Sequence, residues 1–208
     1  MSFKLGNINI GELYVGSNKI AQAYLGSNLI YQASAPGPTP SFDEVTIGTQ
    51  TWMAKNLAID DGGEGIVQID NVVIEDNINV GSQYFYSRDA AIRVADSING
   101  WHLPTDSDIR TLISYCGGTT AGKALKSTYG WYNNGNGTDD YGFTMLPVGT
   151  INPDGNHIST RQSARIWTSS IWSRYNITYY CNYSWNEFKE GDVSTSSTSM
   201  FSVRLIKD

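Results

Sequence analysis

Two cysteines, two histidines, an acidic glycine-rich loop and one long aromatic run are the places in this 208-residue chain where side chains could do chemistry. Cys116 and Cys181 stand 65 positions apart, which excludes a CxxC metal or redox motif. As small hydrophobes they read as two buried free thiols, with a single disulfide between them as the alternative. His102 lies in a turn before a helix and His157 in a loop, and neither is flanked by residues that would make it a base or a ligand, so structural roles are expected. A nucleophilic serine would need a GxSxG elbow with acid and base partners, and the sequence offers none. The loop carrying Asp60, Asp61 and Glu64 supplies oxygen ligands suited to calcium, but its glycine spacing matches no EF-hand loop and it reads as a solvated turn. The expectation is a protein with no catalytic set, no cofactor and no metal.

The aromatic run Ile166 to Phe188, IWTSSIWSRYNITYYCNYSWNEF, has a different character. Tyr, Trp, Ser and Asn are the residues of adaptable binding surfaces, because the rings offer large contact area at low entropy cost and the small polar groups adapt their hydrogen bonds. Trp172 and the segment from Tyr175 to Trp185 follow no strict alternation, so they are expected to be partly exposed. Ligand contact is accordingly assigned to Trp172, Tyr175, Asn176, Tyr179, Tyr180, Asn182, Tyr183 and Trp185. The competing reading is an ordinary aromatic β region whose rings are core.

Such a surface needs a frame. The stretch Gly100 to Gly118, GWHLPTDSDIRTLISYCGG, reads as strand end, turn and capped helix. Pro104 bars a preceding helix, Thr105 is a good N-cap, and Asp108 stands where a carboxylate can answer free backbone N–H groups. Ile109, Leu112, Ile113 and Cys116 share a face, and Gly117 and Gly118 supply the stop. An earlier amphipathic helix is expected over Ser87 to Ile98, with Ser87 as N-cap, and a short third helix over Thr119 to Ser127. EVTIGTQTWMAKNL should be a hairpin turning at Gly48 and delivering Trp52 and Leu57 inward. The segment Ile59 to Val80 reads as loop and short strands. The run GWYNNGNGTDDYGFTMLPVG is a glycine-rich excursion returning through Phe143 and Leu146 to a core strand, followed by a turn at Pro153 to Asn156.

Only 16% of residues are charged, below the roughly 25% of ordinary soluble domains, while 12% are aromatic. This favours a turn-rich, β-leaning protein. A formal charge of -6 argues against nucleic acid and anionic membrane surfaces as partners. No stretch approaches the ~20 apolar residues of a transmembrane helix, so membrane insertion is not expected. The opening MSFKLGNINIG lacks the pattern of a signal peptide, so export, if any, would use a signal already removed or assembly into a particle.

Residues 4 to 32 repeat every ten positions, as Leu5-Gly6, Val15-Gly16 and Leu25-Gly26 with Ile10, Ile20 and Ile30. Each unit should be strand, tight turn and strand. Three units bury too little to be stable alone, so residues 1 to 32 are expected to pack on a partner that covers Tyr14, Ile20 and Tyr24. ASAPGPTPS, residues 33 to 41, is a semi-rigid linker, and residues 42 to 208 form the main domain. The glycine-turn repeats resemble N-terminal segments of phage tail-associated proteins, which implies that residues 1 to 32 pack on other virion proteins or on further copies of the chain.

A second resemblance covers Val45 to Asp208. GWHLPTDSDIRTL, then GKALKS, GW, YGFTMLPVG, IWTSS and the terminal FSVRLIKD occur in the order seen in the Fibrobacter succinogenes major paralogous domain. The resemblance implies an α+β, C-type-lectin-like or formylglycine-generating-enzyme-like domain with little regular structure, here preceded by a small β-repeat module. It also implies that Trp167 and Thr168 are buried and that His102 takes a position where the family often has Arg. Oxidase chemistry in the formylglycine-generating enzymes needs paired active-site cysteines, which this chain lacks. Trp185-Asn186-Glu187 matches only superficially the calcium-linked sugar motif of C-type lectins, and no Glu-Pro-Asn companion is present. Asn176 to Ser184, NITYYCNYS, contains only residues reachable by changing adenines in an AAC or AAT codon, the signature of C-type-lectin-like variable proteins served by diversity-generating retroelements. The expected function is non-enzymatic: a phage tail or fibre receptor-binding protein, homo-oligomeric and located in the virion, which recognises a bacterial surface glycan or protein. The alternative is a secreted or surface-anchored bacterial domain that binds polysaccharide.

Overall fold

The computed structural model describes residues 40–75 and 78–208 and, before them, the backbone of six short strands. The chain forms two compact units, Met1–Pro40 and Ser41–Asp208. In the first, β1 (Phe3–Leu5) pairs with β2 (Ile8–Ile10), β3 (Tyr14–Val15) with β4 (Asn18–Lys19), and β5 (Gln22–Leu25) with β6 (Asn28–Gln32). The last pairs are Leu5 with Ile8, Val15 with Asn18 and Leu25 with Asn28, so two residues separate the strands each time and the step is ten residues. Glycine as the first of two loop residues suits the tight hairpin turns that match strand twist. Among the described residues these are three separate two-stranded ribbons rather than one continuous meander. The expected exposure of Tyr14, Ile20 and Tyr24, and most of the linker 33–41, lie outside the described residues.

The second unit opens with β7 (Glu44–Ile47) and β8 (Gln50–Met53), a hairpin turning at Gly48, whose φ of 63° lies in the left-handed region that glycine tolerates. β9 (Ile66–Ile69), β10 (Val73–Glu75), β11 (Ile78–Asn79) and β12 (Gln83–Tyr86) follow, then α1 (Arg88–Asp96), β13 (Trp101–His102), α2 (Asp106–Tyr115) and α3 (Ala121–Leu125). The chain ends with β14 (Thr150–Ile151), β15 (His157–Ile158), β16 (Ser163–Trp172), β17 (Tyr175–Asn182), β18 (Lys189–Ser194) and β19 (Ile206–Lys207). The sheets are β13-β19-β8-β7, the antiparallel β16-β17-β18, and the pairs β9 with β12, β10 with β11 and β14 with β15.

The expected α+β, C-type-lectin-like arrangement is therefore corrected. The unit is mainly β, assembled from small antiparallel sheets, and its helices span only nine, ten and five residues. Helical periodicity persists in the sequence only over those short stretches. Phe143 is fully buried, but the chain around it and Leu146 is irregular rather than a strand.

The helix starts follow local chemistry. Ser87 caps α1 by accepting from the Ala90 N–H. At α2 the Thr105 hydroxyl accepts from the Asp108 N–H, while the Asp108 carboxylate accepts from the Thr105 N–H at 2.8 Å, a reciprocal capping box. Gly117 and Gly118, both at positive φ, end the helix.

The middle of the three-stranded sheet is buried on both faces. Ile166, Ile177, Tyr179 and Cys181 point into a cluster with Trp52, Ile109, Leu112 and Phe143. Trp167 and Val193 join a second cluster with Trp101, Leu103, Leu205 and the Ala90, Ala91, Val94 face of α1. The Trp167 indole donates to the Tyr86 carbonyl at 2.7 Å, and the Thr168 hydroxyl to the Ile177 carbonyl at 2.6 Å, so both polar groups carried into this core are satisfied.

Candidate binding surfaces at the two ends of the three-stranded sheet

β16 and β17 turn through Ser173 and Arg174, with Trp172 opposite Tyr175 and Ile171 opposite Asn176. Ser173 takes a φ of 55°, which closes the two-residue turn. At this tip Trp172 is 67% exposed, Ile171 53% and Tyr175 37%. Trp172 and Tyr175 face each other across the turn and Ile171 stands on the opposite side of the strand, so three large apolar side chains are exposed within five consecutive residues. The Arg174 carbonyl accepts from the Thr195 N–H, which ties the tip to the chain beyond β18.

The other end of β17 carries a second aromatic group. Tyr183 meets the exposed Tyr132 edge to face at 5.3 Å, and Tyr180 meets Trp185 at 5.9 Å. Arg165 stacks on Tyr180, and the Lys189 ammonium lies 4.1 Å from the Trp185 ring centre. Bare Gly191 makes room here, since a Cβ there would come within 2.6 Å of the Arg165 guanidinium. Asn182 folds back to accept from the Ser184 N–H and hydroxyl. Below the loop, buried Lys126 donates to the carbonyls of Asn182 and Trp185 at 3.2 and 3.1 Å. Burial pushes its ammonium below the ordinary lysine range.

The eight residues assigned to ligand contact therefore do not form one surface. Trp172 and Tyr175 sit at the hairpin tip, whereas Tyr180, Asn182, Tyr183 and Trp185 sit toward the far end, which begins about 17 Å away along the extended strand. Asn176 and Tyr179 are corrected outright: both are buried, Tyr179 to 1% exposure. β17 is the central strand and is covered on both faces, so its sequence shows no alternation even though its side chains do alternate in direction. The same burial weakens the diversification reading of NITYYCNYS, because Asn176, Ile177, Thr178, Tyr179 and Cys181 are all inside and random replacement there would wreck packing. Sequence reasoning passed over Ile171 and Tyr132. Ile171 adjoins Trp172 in the aromatic run, and Tyr132 stands in the glycine-rich excursion, where a lone tyrosine carries no periodic signal.

The remaining chemistry-bearing groups are engaged. Cys116 and Cys181 are buried free thiols, pushed by burial up to about 11 and about 12. His102 Nδ1 lies 2.7 Å from the Asp208 carboxylate, and His157 Nε2 lies 2.6 Å from the Val148 carbonyl. Asp61 receives a two-pronged hydrogen bond from Arg93, which holds its carboxyl down at about 2. Among the described residues no group of three or more His, Cys, Asp or Glu side chains is placed to hold a metal ion. No described helix is long and apolar enough to cross a membrane.

No curated protein and no solved structure matches the chain. A family model does match, over residues 45–207, which takes in all of β7 but its first residue, every later element and both aromatic groups. On that match the chain belongs to the Fibrobacter succinogenes major domain family.

Proposed function

We propose that the chain is a non-enzymatic binding protein whose head recognises a bacterial surface ligand and whose N-terminal hairpins attach it to a larger assembly. The reading rests on one observation above all: Trp172 and Ile171 stand exposed beside Tyr175 at the tip of the longest hairpin in the head. Leaving such residues in water costs solubility, and a rigid two-residue turn presents them with little entropy left to lose on binding. The aromatic end near Tyr132, Tyr183 and Trp185 provides a second contact area for an extended ligand. A binding rather than catalytic role is supported by the engagement of the two histidines, the inertness of the two buried thiols and the pairing of Asp61 with Arg93.

The attachment we infer is to a phage tail or fibre. Its support is the ten-residue hairpin repeat with a two-residue closing each time, which looks like the repeats of tail-associated proteins. Such short ribbons bury too little surface to stand alone and call for a partner. The test is adsorption of the purified chain to bacterial cells, comparing the native protein with Trp172→Ala and Ile171→Ala together. Loss of adsorption at least tenfold with an unchanged melting curve supports the reading. Full adsorption by the double variant sinks it for the hairpin tip, and a Tyr132→Ala, Tyr183→Ala pair then asks whether the other end carries the contact.

A further inference from the structure

A partly enclosed recess of about 560 Å³ lies among the segment after β8, the start of β12 and the irregular chain around Thr144. Its volume falls within the range of roughly 300 to 1,000 Å³ typical of small-molecule sites. It shares no residue with either aromatic surface, so a ligand held in it would owe nothing to the contacts made by the hairpin tip or by the far end of the sheet.

The recess holds an unusual charge. Arg204, from the FSVRLIKD terminus, lines it, is 1% exposed and has no carboxylate partner among the described residues. Its Nη1 donates to the carbonyls of Met53 and Phe143 at 3.1 and 2.6 Å, and its Nη2 to the Asn56 side-chain oxygen at 3.0 Å. Its Nε–H has no hydrogen-bond partner among them. Asp139, the acid that favours its charge, accepts instead from the Thr144 N–H and hydroxyl. Burial pushes the guanidinium down to about 9, which leaves it charged at neutral pH.

Neutral amides link that charge to the wall of the recess. Asn56 points its oxygen at Arg204 and donates its amide N–H to the Gln83 side-chain oxygen, and Gln83 in turn donates to the Val80 carbonyl. Asn56 and Gln83 both line the recess, and so do the half-buried residues Tyr84 and Tyr129 and Thr144, whose hydroxyl donates to Asp139. Such a lining combines a buried cation with no ion-pair partner among the described residues, the Lys55 ammonium paired with Asp43, aromatic residues and several hydrogen-bonding residues. An anion is attracted to that cation, and a polyhydroxylated ring suits the rest.

We propose that this recess binds a single carboxylate-bearing sugar residue, its carboxylate on the Arg204 side of the recess and its ring lying against Tyr84 or Tyr129. The experiment is a calorimetric titration of the full chain with glucuronate and galacturonate, against glucose, galactose and inorganic sulfate. Saturable uronate binding at least tenfold tighter than that of either neutral sugar or of sulfate is expected. Ala58→Trp places a ring at the exposed rim of the recess without entering the core, and it should abolish uronate binding while leaving the melting curve unchanged. Arg204→Met should also abolish it if the variant folds, and the decision does not depend on that variant. The proposal is overturned if no uronate binds, if neutral sugar or sulfate binds as tightly, or if Ala58→Trp binds uronate like the native chain.

Discussion

The Tyr179 hydroxyl donates a 2.6 Å hydrogen bond to the Asp106 carboxylate, joining the central strand of the three-stranded sheet to the first turn of α2. Asp106 also accepts from Arg110 at 2.8 Å, and Arg110 reaches on to Glu190 of the edge strand β18. Burial opposes ionisation of Asp106, but Arg110 and the tyrosine hydroxyl outweigh it and hold the carboxyl below its ordinary range. One phenol thus locks helix to sheet, and the ring beneath it packs on Phe188.

Two substitutions separate the ring from the hydroxyl. Tyr179→Phe keeps the packing and removes one hydrogen bond to a charged acceptor that retains Arg110, so it should cost about 1 to 2 kcal/mol. Tyr179→Ala leaves a cavity in the main core and should cost about 3 to 5 kcal/mol. Urea unfolding measures both. Equal losses in the two variants would mean that the packing of the ring counts for nothing.

Much of the frame was legible because short-range chemistry determined it. Thr105 and Asp108 announce the start of α2 by types and spacing, Gly48 the hairpin turn, and Ser87 the start of α1, and each acts through atoms at most three residues away. What lay beyond reading was long range. Nothing in NITYYCNYS says that both neighbours of that strand are present and both faces covered, so Tyr179 and Tyr183 look alike until the sheet order is known. Arg204 is the extreme case. A terminal FSVRLIKD carries no hint that one of its cations is fully buried on carbonyls 61 and 151 positions away.

The thiols should be silent in the native protein. Cys116 and Cys181 are buried and titrate at about 11 and about 12, so at pH 8 almost no thiolate is present and none is accessible. A disulfide-exchange reagent should label neither within an hour, and both in guanidinium. Rapid labelling of either in native buffer would show that the core opens locally.

Acid should weaken the acidic loop with a defined sign. Asp61 drops from its ordinary 3.8 to about 2 because Arg93 hydrogen-bonds its ionised form. The pair therefore stabilises the fold fully above pH 3.8, and its contribution disappears as pH falls through about 2. Both side chains are partly exposed, so the effect is about 1 kcal/mol or less. Asp61→Asn should lie below the native chain in stability at pH 6 and converge with it below pH 2. A constant gap across that window would exclude the ion pair as its cause.

Lys126 poses the sharpest question of sign, because the same residue is both a cost and a support. Its ammonium is buried beside the Trp131 ring with no carboxylate partner among the described residues, and removing it relieves the desolvation that lowers its titration. Removal also leaves the Asn182 and Trp185 carbonyls without the donor that now joins them across the loop. Each orphaned, part-buried carbonyl costs about 1 kcal/mol, the low end of the range for buried groups, while methionine restores most of the packing volume and escapes the charge penalty. The carbonyl term should win, so Lys126→Met should lose about 1 to 3 kcal/mol in urea unfolding. The loss should be local in origin. Amide hydrogen exchange at Tyr183 to Asn186 should quicken at least tenfold while β16 and β17 keep their protection, because the loop alone depends on that ammonium. A variant as stable as the native chain, with the loop still protected, would mean that water or a backbone shift satisfies both carbonyls and that the buried charge contributes nothing to the shape of this end of the sheet.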